Sequence, residues 1–295
     1  MDNNFTSEKS FHLAGIVPVA GQDLGFNFQW HDSLMPIAPN WTLVEQAVFE
    51  CAMAGCETIW IVCHDDMQPL IKHRLGEYVQ DPVWAFRRYE KFQSNAQKRI
   101  PIYYVPISAH DRGKRDSLGW AALHGMYVSR KIAKGISRWV APDRYYVSFP
   151  YGVYDVEALR EHRSKISSNK PAFVSFQDKT IRDGEYLGFT MSWEDAEKTR
   201  KKIWKKGTIK KDKKTGELLP LHERYSAASF SLKDIYGDLA GDDALIIDIK
   251  KYWNIASWQD YCAYIGDSEK NITRPNKVIL DYHQLKRIRF KEEYE

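Results

Sequence analysis

With 295 residues, 43% of them hydrophobic and 28% charged, the chain has the composition of an ordinary soluble globular protein and enough apolar side chain for a full core. No window approaches the ~18 consecutive apolar residues of a membrane span, and Met1-Asp2-Asn3-Asn4 lacks the basic start and apolar core of a signal peptide. The net charge of +4 conceals an asymmetry: residues 198–214 hold ten Lys or Arg against one Asp, a local +9 that leaves the rest of the chain at −5.

Residues 1–11 read as a polar leader. Residues 15–21 read as a strand buried on both faces, followed over 22–40 by a loop rich in Gly, Asn, Asp and Pro. Thr42 and Glu45 have capping-box spacing, and the helix they open carries Val44, Val48, Cys51 and Ala52 on one face. Gly55 ends it. Thr58–Cys63 is the second strand, Asp65–Tyr78 a helix, and 83–99 a further helix. A strand over 102–107 follows, then a helix over Ser117–Ala133, a strand over Arg144–Phe149, a helix over Val156–His162 and a strand over Pro171–Gln177. Strands alternating with helices at this pace predict βαβ units and a mostly parallel sheet. The pattern then changes. Thr208–Leu221 reads as a hairpin, and Ser226–Ile235, Ala244–Tyr252 and Ser257–Ile265 read as strand, strand and helix. One α/β domain over 12–265 with a small β-rich insertion is expected. A tail, 266–295, is expected to pack outside it through Val278-Ile279-Leu280, Leu285 and Ile288.

Cys51, Cys56 and Cys63 lie on or beside an apolar helix–strand unit, where cysteine is usually a small buried hydrophobe. With Cys262 they form no CxxC pair, so zinc is disfavoured and reduced thiols in a cytoplasmic protein are expected. No Gly-x-Ser-x-Gly or P-loop signature occurs. The ten Trp and seventeen Tyr serve as core or as contact surface.

Seven stretches, in order, carry a resemblance. They are Ala14–Gly21 with Leu34-Met35-Pro36-Ile37 and Ala54–Val62, then Leu118-Gly119-Trp120-Ala121-Ala122-Leu123, Tyr145–Pro150, Asp183–Phe189 and Trp253–Tyr261. Together they resemble the sugar-phosphate nucleotidylyltransferases, whose nucleotide-binding fold is GT-A-like. The resemblance implies a GT-A-like α/β fold, a nucleotide or nucleotide-sugar ligand, and nucleotidyl transfer to a sugar phosphate with Mg²⁺. It implies that Gly21, Gln22, Asp23 and Gly25 cradle phosphate, that Gly119 and Ala121 face the base, and that Asp155 and Asn254 are the metal ligands. Arg112, Lys114 and Arg115, between the third strand and the Gly119 helix, read as replacements for the cations this family carries elsewhere, or as a solvated loop.

The departures lie at the phosphate end. The glycine loop has no Arg. The family's Lys position falls at Asp32 or His31, and an Asp ~5 Å from a phosphate charge repels it by roughly 3 kcal/mol at an effective dielectric of ~20. The first metal position falls at Pro150, which has no ligating group. An active nucleotidyltransferase and an inactive GT-A-like scaffold that binds protein or nucleic acid therefore both remain open. His64-Asp65-Asp66 reads as a metal or acid–base group, or as a helix N-terminus that favours Asp. The run over 198–214, interrupted by Trp204, reads as a nucleic-acid contact or as a solvated helix face and hairpin tip. Self-assembly is a further expectation of the scaffold reading.

Overall fold

The computed structural model describes residues 11–21, 28–85, 98–136, 141–209, 211, 215–220, 223–241 and 243–275. In chain order the elements are β1 (Leu13–Pro18), β2 (Pro36–Ala38), β3 (Trp41–Thr42), α1 (Leu43–Ala54), β4 (Thr58–Cys63), α2 (Gln68–Leu75), β5 (Tyr78–Gln80), α3 (Pro82–Ala85), β6 (Arg99–Pro106) and α4 (Leu118–Gly135). They continue with β7 (Arg144–Val147), β8 (Gly152–Tyr154), α5 (Glu157–Ile166), β9 (Ala172–Ser175), β10 (Phe189–Met191), α6 (Trp193–Lys206), α7 (Leu232–Tyr236), β11 (Leu245–Asp248), β12 (Tyr252–Asn254) and α8 (Trp258–Gly266).

An eight-stranded, mostly parallel sheet runs β11-β9-β10-β7-β1-β4-β6-β5. β1 pairs in parallel with both β4 and β7, and β4 with β6. β10 is antiparallel to β7 and β9, and β5 to β6. Short antiparallel ladders join β2 to β3 and β8 to β12. Right-handed crossovers on a parallel sheet put α1, which carries the chain from β1 to β4, and α4, which carries it back from β6 to β7, on opposite faces. β1 is buried at every position, as a strand covered on both sides must be. The chain leaves β1 toward β4 and β6, then returns to β7 on its other side. The order of strands therefore reverses at β1/β7, and ligands of open α/β sheets bind at such a reversal, beyond the carboxyl ends of the strands.

α1 has the capping box read from Thr42 and Glu45, and it ends at Gly55 in the left-handed region, φ 99°. α4 is capped by Ser117. Two expectations are corrected. Asp65–Tyr78 is not one helix, because α2 stops at Leu75 and Tyr78–Gln80 adds an edge strand beside β6. Ser226–Ile235 is not a strand: Ala227–Ser229 is a 3-10 turn and Leu232 opens α7. A second capping box fixes α7, in which Ser231 Oγ accepts from the Asp234 N–H and Asp234 accepts from the Ser231 N–H. The expected hairpin survives as two antiparallel bridges, Thr208 to Tyr225 and Lys211 to Leu218. The first half of the basic run is helix α6, with Ala196, Thr199 and Ile203 turned inward. Ile272 packs against the core, while 276–295 and the apolar residues expected to anchor them lie outside the described residues, as does most of the leader. Among the described residues no helix is long and apolar enough to cross a membrane.

Candidate functional site at the strand reversal

The floor of the site is the turn that leaves β1. The Val19 and Ala20 amides both donate to Val62 O, at 2.8 and 3.0 Å, so the turn curls over the end of β4. Gly21 follows with φ +84°, and a Cβ there would lie 2.5–2.6 Å from the backbone of Ser117. Only glycine permits both that dihedral and that approach. The turn is thus pressed against the first turn of α4, whose N–H groups and dipole favour negative charge. Ser117 Oγ takes one of them, accepting from Trp120 N–H at 3.3 Å. Gln22, Asp23 and Gly25 lie outside the described residues.

Gly119 and Ala121, expected to face a base, are both buried. Gly119 O accepts from Tyr236 Oη at 2.9 Å, and a Cβ on Gly119 would lie 2.4 Å from Ile235 Cδ1. The small residue here lets α7 approach α4.

The three expected phosphate cations are held in local contacts. Arg112 is paired with Asp65 at 3.2 Å, and Arg115 with Asp111 at 2.7 Å. Lys114 Nζ lies 5.1 Å from the centroid of the Tyr225 ring. His64 Nε2 lies 3.2 Å from Asp116. The Asp65–Arg112 and His64–Asp116 contacts tie the end of β4 to the β6–α4 connection. Asp66 Oδ1 accepts from Met67 N–H at 3.0 Å, as an acidic group just before a helix does.

Asp155 and Asn254, expected as the magnesium ligands, lie along the β8–β12 ladder in separate local hydrogen bonds, with Asn254 Oδ1 buried and without a hydrogen-bond partner. Asn254 pairs with Gly152 in the β8–β12 ladder and Tyr252 pairs with Tyr154. Asp155 therefore sits three residues from the Asn254 pair, about 10 Å at the rise of a strand. Asp155 Oδ1 accepts from Glu157 N–H at 3.0 Å, while Asn254 Nδ2 donates to Glu185 at 3.0 Å. Among the described residues no group of three His, Cys, Asp or Glu could hold a metal ion.

Sequence reasoning missed Glu50. It lies on α1 beside the apolar residues of that helix and is buried beneath the end of β7. Tyr146 Oη and Ser148 Oγ each donate to it at 2.8 Å. Burial pushes its carboxyl up to about 7, against the hydroxyls of Tyr154, Tyr146 and Ser148, which hold it down. The signal in the sequence was a carboxylate beside Cys51, between the apolar Phe49 and Ala52 and away from the capping Glu45 of the same helix.

No family model and no curated protein matches the sequence. Among solved structures, the chain is similar to a proposed glucose-1-phosphate thymidylyltransferase of Bacillus anthracis crystallised with sucrose. The TM-score is 0.54 and the identity 8%, over 89% of this chain and 98% of that one. A protein of Mycobacterium tuberculosis H37Rv matches over 88% of this chain and 100% of its own at 10% identity, with a TM-score of 0.46, too low to carry an argument. The chain thus has a nucleotidyltransferase-like fold.

Proposed function

We propose that this chain binds a nucleotide or nucleotide-sugar at the carboxyl ends of β1 and β7, with its phosphates against the Gly21 turn and the start of α4. The observation that carries the reading is the approach of Gly21 to the Ser117 backbone, 2.5–2.6 Å for a Cβ built on Gly21, at the strand reversal of a nucleotidyltransferase-like sheet. The Bacillus anthracis neighbour supports the ligand class. In this reading backbone N–H groups hold phosphate. The ion pair of Asp65 with Arg112 and the contact of His64 with Asp116 fix the wall of the cleft rather than neutralise the ligand.

Transfer of a nucleotidyl group needs charge neutralisation. Asp155 and Asn254 stand apart, so no transfer step is assigned to them, and the reading is one of binding with divergent catalysis.

Thermal shift with nucleoside triphosphates and nucleotide-sugars tests the ligand. At 100 times its Kd a ligand adds ~2.7 kcal/mol, which raises Tm by about 5 °C or more for a domain of this size. No shift with any member of the panel would remove the reading. A second reading, a scaffold recognising a protein or a second copy, rests on exposed aromatics: Phe28 stacks on Trp30 at 5.0 Å and meets Trp258 edge-on at 5.8 Å. A nucleotide-insensitive chain that self-associates in light scattering would favour it.

A further inference from the structure

On the side of α4 turned to α6, a cavity of about 420 Å³ opens between α4, α6 and the β6–α4 connection. That is the size of a small-molecule site. Trp120, His124 and Tyr127 line it from α4, at the i, i+4, i+7 spacing of one helix face. The sheet-facing side of α4 is marked by Gly125, where a Cβ would lie 2.6 Å from Val62 and 3.1 Å from Ile16. Arg200 and Trp204, at i and i+4, line the cavity from α6.

The lining is aromatic and cationic. The Arg200 guanidinium lies 4.3 Å from the Tyr127 ring centroid and 5.2 Å from that of Trp120. Among the described residues no carboxylate pairs with it, and its Nε is buried without a hydrogen-bond partner. The other cations are partnered, Arg115 by Asp111 at 2.7 Å and Lys201 by Glu197 at 2.8 Å. Trp204 is 56% exposed, a large apolar ring left at the rim. His124 Nε2 lies 3.1 Å from Pro106 O, so Nε2 carries the proton and Nδ1 is left as an acceptor. Burial lowers the pKa of His124, so it adds polarity rather than charge. An unpaired guanidinium beside an exposed indole suits a ligand with an aromatic ring and an anion.

We propose that this cavity binds one nucleotide unit, its base on Trp204 and its phosphate at Arg200, as a site separate from the Gly21–Ser117 cleft. It does not rest on the nucleotide reading of that cleft. A free mononucleotide and one residue of a single strand offer the same chemistry, and the exposed Lys201 and Lys205 of α6 continue the positive surface beyond the rim.

Calorimetric titration of the full chain with AMP, GMP, CMP and UMP, with ribose 5-phosphate, and with a hexauridylate tests it. At least one mononucleotide is expected to bind with a Kd below about 1 mM, and ribose 5-phosphate roughly tenfold more weakly, because base stacking on an aromatic ring supplies about that factor. Trp204→Ala and Arg200→Gln are each expected to weaken binding roughly tenfold. Trp204 is exposed enough for its variant to fold, and melting curves check both variants. Tighter binding of the hexamer through the same two residues supports the site and assigns it to a single strand. The proposal is overturned if neither mononucleotide nor hexamer binds, if ribose 5-phosphate binds as well as the mononucleotides, or if folded Trp204→Ala retains full affinity. In the last case the nucleotide sits elsewhere, and the cleft reading stands untouched.

Discussion

Replacing Glu50 by Gln is expected to change the pH dependence of stability more than any other single substitution on α1. The carboxyl is 1% exposed and accepts from Tyr146 and Ser148. Its pKa is raised from 4.5 to about 7, so between those values the folded chain binds a proton that the unfolded chain does not. Each pH unit of that gap is worth about 1.4 kcal/mol. The protonated carboxyl therefore contributes about 3 kcal/mol, present in full below pH 4.5 and lost as pH rises through 7. Glutamine cannot ionise, and the two hydroxyls can rotate to accept from its amide. Urea unfolding of both proteins between pH 4.5 and 8 isolates the effect from other titrating groups. The variant should gain about 3 kcal/mol on the wild type across this range. Two stability curves that run parallel would refute the buried, raised carboxyl.

Two further substitutions or reactions check the packing. Gly152→Ala would place a Cβ 1.7 Å from the carbonyl oxygen of Tyr186, a backbone atom that cannot swing aside. A loss of about 3 kcal/mol or more is expected in thermal melts, and an unchanged melt would contradict the close approach of Gly152 to the Tyr186 backbone. Of the four thiols only Cys262 is exposed, while burial pushes Cys63 up to about 12 with Asp65 and Asp66 adding to it. A disulfide exchange reagent should label one thiol quickly in the native chain and the others only on unfolding. Fast labelling of two or more would contradict the buried helix–strand unit.

The parallel half of the fold was legible because its signals are local. Thr42 and Glu45 announce α1, Gly55 stops it, and the unbroken apolar runs before and after it form β1 and β4. The missed elements are those whose signals are short or tertiary. β8 and β10 have three residues each, too few for a period, and exist through pairing with β12 and β7. Ahead of α7 the alternation of Phe230, Ser231, Leu232 and Lys233 suggests a strand, yet the capping box of Ser231 and Asp234 and the i, i+3 pair Leu232 and Ile235 win. At the site, Gly21 and the start of α4 were legible as a juxtaposition. The neutralisation of Arg112 by Asp65 was not, because it depends on β4 and β6 lying side by side. The separation of Asp155 from Asn254 is likewise a matter of ladder register, which composition and spacing do not encode. The Arg200–Trp204 cavity needed α6 to be seen packed along α4; in sequence the same residues are part of a charge run.

The most direct test of ligand binding at the strand reversal is a crystal structure of the chain with the nucleotide or nucleotide-sugar that raises its melting temperature most. Phosphate oxygens are expected within hydrogen-bond distance of backbone N–H groups in the Ala20–Gly21 turn and at the start of α4. A ligand bound only in the cavity between α4 and α6, or no ligand at either place, would contradict that expectation.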